Sequence, residues 1–224
     1  MIEVVQVKNR NIGNLKAHDK LRQLVDSETL IALSGGTSPD YQKMIVEPGD
    51  ILPGSVCVVD ERWGEKRHID SNEYLMEKAG LLSYLKTKGI GFHNIQWEGD
   101  IIADACDYDG LVKKLFARFP KKVGVMGVGT NLHTAGIFPK SIAAHSPDLV
   151  VGETVNDKFP KRITLTLKAL GEFQNFVILV FGEEKHEVVK IMLDENENDM
   201  QKYPAIFYRK CFAKCWLITD QDLK

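Results

Sequence analysis

The chain has 224 residues, 44% of them hydrophobic, and Lys+Arg 29 against Asp+Glu 31 gives a formal net charge of -2. That length and apolar fraction suit one folded domain with a proper core, and near-neutrality removes the bulk electrostatic case for nucleic acid or an anionic membrane as partner. No apolar run approaches the roughly 18 residues of a membrane span, and residues 1–13 lack the apolar centre of a signal peptide. Cys57, Cys106, Cys211 and Cys215 show neither a Cys-x-x-Cys pair nor zinc-like spacing. A cytoplasmic protein with reduced thiols is expected, with Cys57 in the core. Cys211 and Cys215 are spaced so that they can meet.

Taken in chain order, residues 29–33 open a series of short apolar runs, continued at 56–59, 123–128, 176–181 and 215–219. Each is rich in Val, Ile or Leu without strict alternation, the pattern of strands covered on both faces of a parallel sheet. Helical patterns fall between them, over 38–45, 72–85, 103–119 and 184–193. In 72–85 the apolar Leu75, Ala79 and Leu82 recur at helical spacing behind Ser71 as N-cap. Alternating strands and helices predict right-handed βαβ units in an α/β fold with an open, mostly parallel sheet and helices on both faces. Residues 149–155 and 162–167, joined by Asn156-Asp157-Lys158-Phe159-Pro160, break the rhythm. They predict a small β appendage near 149–170 on a single domain spanning 1–224.

Four places carry residues suited to chemistry. Ser34-Gly35-Gly36-Thr37-Ser38-Pro39 directly follows the first buried run and precedes a helix. Gly35 and Gly36 let the backbone approach a ligand, Thr37 and Ser38 add hydroxyl donors, and Pro39 suits the first helical turn. The segment reads as a phosphate cradle without a Walker lysine, or as an ordinary tight turn. Asp60-Glu61-Arg62-Trp63 ends the 56–59 run. There Asp60 can orient a histidine or take a proton and Arg62 can clamp an anion, although a solvated salt-bridging turn has the same composition.

His133 follows a buried strand and the glycines Gly127 and Gly129. It falls near the expected N-terminus of a short helix, which would keep the imidazole neutral and able to accept a proton. Arg162 on the appendage and Lys185 after the 176–181 strand are surface charges by default, and a doubly wound sheet would bring both to the 34–38 loop. The remaining histidines, His18, His68, His93, His145 and His186, contain no pair with metal-ligand spacing, so no metal site is expected.

In this order the segments resemble the 6-phosphogluconolactonase family and, more distantly, the glucosamine-6-phosphate deaminases of the same fold. The resemblance runs through Leu33-Ser34-Gly35-Gly36-Thr37-Ser38-Pro39, Asp60-Glu61-Arg62 with Ser71-Asn72, and Gly127-x-Gly129-x-x-x-His133-Thr134-Ala135-x-x-Phe138-Pro139. It continues with Pro160-x-Arg162-Ile163-Thr164-Leu165-Thr166, Gly182-x-x-Lys185 and Pro204-Ala205. It implies a Rossmann-like sheet, a small-molecule sugar phosphate as ligand, no cofactor, and a monomer or weak homo-oligomer. The implied reaction is hydrolysis of 6-phosphogluconolactone to 6-phosphogluconate in the pentose phosphate pathway. His133 matches the general base on water. Gly35, Gly36, Thr37, Ser38, Arg162 and Lys185 match positions that hold the phosphate, and Asp60 and Arg62 match the sugar end.

Two departures stand out. The lactonases carry Asp-Gly before the histidine, and this chain has Asn131-Leu132. Asn131 offers the imidazole a neutral acceptor, and loss of a charged partner costs a few kcal/mol in a transition state, enough to slow turnover by orders of magnitude. A leucine at a position of positive φ strains the loop, and its side chain is expected to narrow the pocket. The region before Leu30 also looks short, which would remove a helix. These departures keep two alternatives open: a non-catalytic sugar-phosphate-binding protein, and an enzyme like the glucosamine-6-phosphate deaminases and isomerases, with Asp60 as base.

Overall fold

The apolar runs are shut away from water because they lie side by side in one parallel sheet. The structure, a computed structural model, describes residues 2–64, 68–97 and 99–223. In chain order its regular elements are β1 (Ile2–Gln6), α1 (Arg10–Leu24), β2 (Thr29–Leu33), β3 (Ser55–Val58), β4 (Asp60–Arg62), α2 (Asn72–Lys78), α3 (Leu81–Thr87), β5 (Gly91–His93) and α4 (Ile101–Arg118). There follow β6 (Lys121–Gly127), β7 (Val150–Thr154), β8 (Lys161–Leu165), α5 (Leu167–Leu170), β9 (Asn175–Val180), α6 (His186–Leu193), α7 (Phe207–Lys210) and β10 (Lys214–Thr219). The main sheet has the order β1-β10-β9-β6-β2-β3-β5, with every neighbouring pair parallel. Helices cover both of its sides. Leu30, Ile31, Val125, Val177, Ile178 and Leu217 are fully buried, each contributing about 1.5–3 kcal/mol of hydrophobic stabilisation.

The strand order places the crevice. From β2 the chain moves to β3 and β5 on one side; from β6 it moves to β9 and β10 on the other. The two directions part between β2 and β6, so the loops leaving their carboxyl ends splay open there, where open α/β sheets bind ligands. Ser34 stitches the two loops: its N–H donates to the Val125 carbonyl at 3.0 Å, and its Oγ accepts from Gly127 N–H at 3.1 Å.

A three-stranded antiparallel sheet, β4-β8-β7, stands beside the crevice. It contains the predicted hairpin and one strand more. Val59 joins the two sheets, donating to the Leu33 carbonyl and accepting from Leu165 N–H, both at 2.9 Å. β4 is three charged residues long and carries no hydrophobic pattern that would announce a strand. Its register sets Arg62 opposite Arg162 and Asp60 opposite Thr164.

Several expectations are corrected. The segment before Leu30 does not lack a helix: α1 is 15 residues long, capped by Asn9, whose side chain accepts from Ile12 N–H. Its buried face is Gly13, Asn14, Ala17 and Leu21, too small and polar to register as an apolar stripe. The 72–85 pattern is two helices, broken where Gly80 adopts φ 76. The 38–45 pattern forms only a π-helical turn, Gln42–Val46, behind Tyr41. β8 ends at Leu165, and Leu167 starts α5 under the cap of Thr166. Cys211 and Cys215 do approach, Sγ to Sγ 3.8 Å, as free thiols.

Candidate active site

A cleft of about 370 Å³ opens at the parting of β2 and β6. Gly35, Gly36, Thr37, Ser38, Asp60, Arg62, His133, Arg162 and Lys185 all line it, although they come from five separate stretches of chain. Asn131 does not line the cleft; it backs the histidine.

The loop after β2 is held from behind. Tyr41 OH donates to the Ser34 carbonyl. From α1, Asn14 Nδ2 and Arg10 Nε each donate to the Ser38 carbonyl at 3.2 Å, while Asn14 Oδ1 accepts from Asp40 N–H at 2.7 Å. With these carbonyls tied back, the N–H groups of Gly35, Gly36, Thr37 and Ser38 have no acceptor among the described residues. Gly36 adopts φ +90, and a Cβ on Gly35 would stand 1.7 Å from Asn72 Oδ1, so the two glycines answer different demands, one conformational and one of close approach. The result is a cradle of donors with hydroxyls at Thr37 and Ser38.

His133 sits in a turn, not at a helix N-terminus. The Gly129 N–H donates to the His133 carbonyl at 2.9 Å, Leu132 N–H returns to the Gly129 carbonyl at 3.0 Å, and Thr134 bridges to both Val128 and Ile137. The helix expected to begin at His133 does not form there, so the ring is not carried on a helix N-terminus. The imidazole stacks on Phe138 with centroids 4.2 Å apart and 12° between planes. A Cβ on Gly129 would lie 2.1 Å from the ring. Asn131 Oδ1 accepts from both His133 N–H, at 3.2 Å, and Nδ1, at 2.6 Å. An atom that faces two donors is the amide oxygen, so Nδ1 carries the proton and Nε2 holds the lone pair. Burial, then the positive charge of Arg162, with Lys185 and Arg62 adding to it and Asp157 opposing, pushes the imidazole pKa down to about 4. The ring is neutral at pH 7 because of burial and cations, not a helix end.

Leu132 does adopt the left-handed region, φ 60, as the glycine of the resembling family suggests. Its side chain, however, is 3% exposed and joins the hydrophobic core, so it does not narrow the cleft. Its carbonyl accepts from Ala205 N–H at 3.0 Å.

Asp60 is buried on β4 and is not the partner of His133. Its Oδ1 accepts from Asn72 Nδ2 at 3.3 Å, and its Oδ2 lies 3.6 Å from Arg162 NH1. Burial raises its pKa, and Arg162 and Arg62 counteract that rise. Glu61 is equally hidden and plays a structural part. Its carboxylate accepts from the backbone N–H groups of Arg62, Asn72 and Glu73 at 2.7–2.9 Å, seating the start of α2 on β4. Burial pushes its pKa up to about 7 against those hydrogen bonds.

The cations differ in availability. Arg62 lies with Cζ 4.9 Å over the Phe159 ring and donates to the Asp70 carbonyl, while its Nε is buried without a partner among the described residues. Lys185 Nζ donates to the Val128 carbonyl at 2.8 Å, and burial lowers its pKa. Arg162 is already engaged by Asp60, Asp157 and the Phe159 carbonyl. Sequence reasoning missed Asp157, Lys158 and Phe159 as cleft-lining residues, because a hairpin turn of mixed charge looks like any exposed loop. It also missed Tyr208, whose hydroxyl meets Thr134 Oγ1 at 2.5 Å beneath the histidine turn. Its signal was faint, one tyrosine in an apolar stretch.

This fold and cleft define an open parallel α/β protein with a cation-lined site at its topological switch point. The chain belongs to the glucosamine-6-phosphate isomerase/6-phosphogluconolactonase family, whose model matches residues 14–216. It is 29% identical over 174 residues to a 6-phosphogluconolactonase of Xylella fastidiosa, covering 73% of this chain and 71% of that one. The crystal structure of 6-phosphogluconolactonase from Leishmania guyanensis superposes with a TM-score of 0.80 at 22% identity, over 98% of this chain and 96% of that one. A monomeric glucosamine-6-phosphate deaminase shares the fold at a TM-score of 0.77 and 16% identity, over 97% and 96% of the two chains.

Proposed function

We propose that this protein is a lactone hydrolase that converts 6-phosphogluconolactone to 6-phosphogluconate, with His133 as general base. The observation that carries the reading is the oriented imidazole: Nδ1 is held on Asn131 Oδ1 at 2.6 Å in the same cleft as the donor loop 34–38. The name borne by the Xylella fastidiosa relative supports the same substrate.

In this reading the free N–H groups and hydroxyls of the 34–38 loop, the ammonium of Lys185 and the guanidinium of Arg162 hold the phosphoryl group, and Arg62 and Asp60 line the sugar end. Neutral Nε2 takes a proton from water as the water oxygen attacks the lactone carbonyl. The imidazolium then gives that proton to the departing ring oxygen, so one residue serves both halves of ester hydrolysis. Asn131 orients the ring throughout. No cofactor enters these steps. The 149–170 excursion contributes Arg162 to the same cleft, which supports reading residues 1–224 as one working unit. The formal net charge of -2 supports a small-molecule ligand rather than nucleic acid or an anionic membrane as partner, and no helix among the described residues is long and apolar enough to cross a membrane.

Freshly prepared 6-phosphogluconolactone should hydrolyse faster with the protein than spontaneously, and His133→Ala should abolish the excess. The second reading, a non-catalytic sugar-phosphate-binding protein, is favoured by one observation: Nδ1 faces an amide oxygen rather than a carboxylate. Calorimetric binding of 6-phosphogluconate without turnover of the lactone would establish it. Ammonia release from glucosamine 6-phosphate would instead favour the deaminase reading, against which Asp60 is tied to Asn72 and Arg162.

A further inference from the structure

Arg162 enters the cleft from β8 with 6% of its side chain exposed, and the protein itself engages every edge of its guanidinium. NH1 lies 3.6 Å from Asp60 Oδ2, Nε donates to the Phe159 carbonyl at 3.0 Å, and NH2 donates to Asp157 Oδ2 at 2.5 Å. The two carboxylates are not equivalent. Asp60 is buried on a strand and fixed by Asn72. Asp157 stands in the exposed turn between β7 and β8, with its side chain 32% exposed. That turn is closed by Val155 N–H on the Pro160 carbonyl at 2.8 Å and by Asp157 N–H on the Val155 carbonyl at 3.1 Å. Lys158 and Phe159 follow Asp157 directly, and all three line the cleft.

We propose that Asp157 is an internal anion that holds Arg162 in the ligand-free cleft and is displaced by the phosphorylated ligand, releasing the 156–159 turn. The inference rests on the reading that the cleft takes a sugar phosphate. A phosphomonoester carries about 1.5–2 negative charges at pH 7 and three strong acceptor oxygens. It therefore exchanges favourably with a single carboxylate, and the guanidinium N–H groups donate to either group. Asp60 remains behind as a fixed counter-charge, so the exchange leaves Arg162 paired on one side. Phe159, which lies over Arg62, is carried on the same turn, so release of Asp157 also uncovers the second guanidinium. A tethered competitor weakens ligand binding by occupying the site in advance, and its charge repels the incoming anion at short range.

The test is calorimetric titration of the full chain with inorganic phosphate and with 6-phosphogluconate, in wild type, Asp157→Asn and Asp157→Glu. Asn keeps the side-chain oxygen for the turn and removes the charge; Glu keeps the charge. Asp157→Asn should bind both ligands about tenfold more tightly than wild type, and Asp157→Glu should stay within about twofold of it. Saturating 6-phosphogluconate should speed amide hydrogen exchange at 156–159 in wild type while slowing it at 35–38. Unchanged or weaker binding by Asp157→Asn, slowed exchange at 156–159, or no binding of phosphate by either protein overturns the proposal. The lactonase assay separates the two readings. Tighter binding by Asp157→Asn without turnover of any lactone sustains the internal anion and removes the hydrolase; turnover with no gain in binding does the reverse.

Discussion

His133 Nδ1 lies 2.6 Å from Asn131 Oδ1, so the imidazole is oriented by a neutral acceptor inside a cleft rich in cations. Geometry and charge are thereby separated. The hydrogen bond fixes the tautomer, as a carboxylate would, but it adds no charge to offset Arg162, Lys185 and Arg62, and the ring is left a weak base.

Asn131→Asp restores the charge without changing the shape. A hydrogen bond to a charged acceptor is worth about 1–2 kcal/mol more than one to a neutral acceptor. The variant should therefore raise the His133 pKa and increase lactone turnover about tenfold. Proton NMR titration of the imidazole and the lactonase assay read the two effects separately. If neither moves, the neutral acceptor is not what limits the site.

The depressed imidazole sets the pH response. With a pKa of about 4, His133 is already the free base at pH 5, so kcat at saturating lactone should stay level from pH 8 down to 5 and fall along an acid limb near pH 4. The stability sign follows. The unfolded histidine takes a proton near pH 6.5 and the folded one does not, so the folded state is favoured above that range and loses ground as pH falls from 6.5 toward 4. His133→Ala should remove this component from the pH dependence of urea midpoints. An acid limb centred near pH 6.5 would contradict the assignment.

Leu132 sets two effects against each other. Its φ of 60 costs about 1–2 kcal/mol relative to glycine, while its buried side chain contributes the 2–5 kcal/mol typical of a leucine truncated in a core. Burial wins. Leu132→Gly should destabilise the protein by about 2 kcal/mol in urea unfolding despite relieving the backbone.

These residues show what could be read in advance. The five inner strands announced themselves because strands buried on both faces are continuous apolar runs, and the glycine loop and histidine segment stood out at their ends. α1 did not, since its buried face carries Gly13, set against the Phe181 ring, and Asn14, which braces the 34–38 loop. β4 hid for the opposite reason: Asp60, Glu61 and Arg62 are charged, yet two are buried because partners on other elements satisfy them. The pairing of Asp157 with Arg162 depends on a hairpin turn folding over its own strand, which no spacing rule encodes. The residues that line the cleft were mostly legible; their partners were not.

Gly35 gives the strictest test of the donor loop. A methyl there would stand 1.7 Å from Asn72 Oδ1, on a loop whose Ser34 and Ser38 carbonyls are pinned from behind. Neither side can yield freely, because Asn72 also holds the Asp60 carbonyl at 2.8 Å. Gly35→Ala should shift the loop by enough to misalign its N–H donors. Losing two or more charge-assisted hydrogen bonds to a phosphoryl group costs at least tenfold in affinity. Calorimetry with 6-phosphogluconate should show that loss with the His133 ring environment unchanged by NMR. Gly36→Ala, in open space but at φ +90, should cost stability as well as affinity. Full affinity in Gly35→Ala would mean that the phosphoryl group is held elsewhere in the cleft.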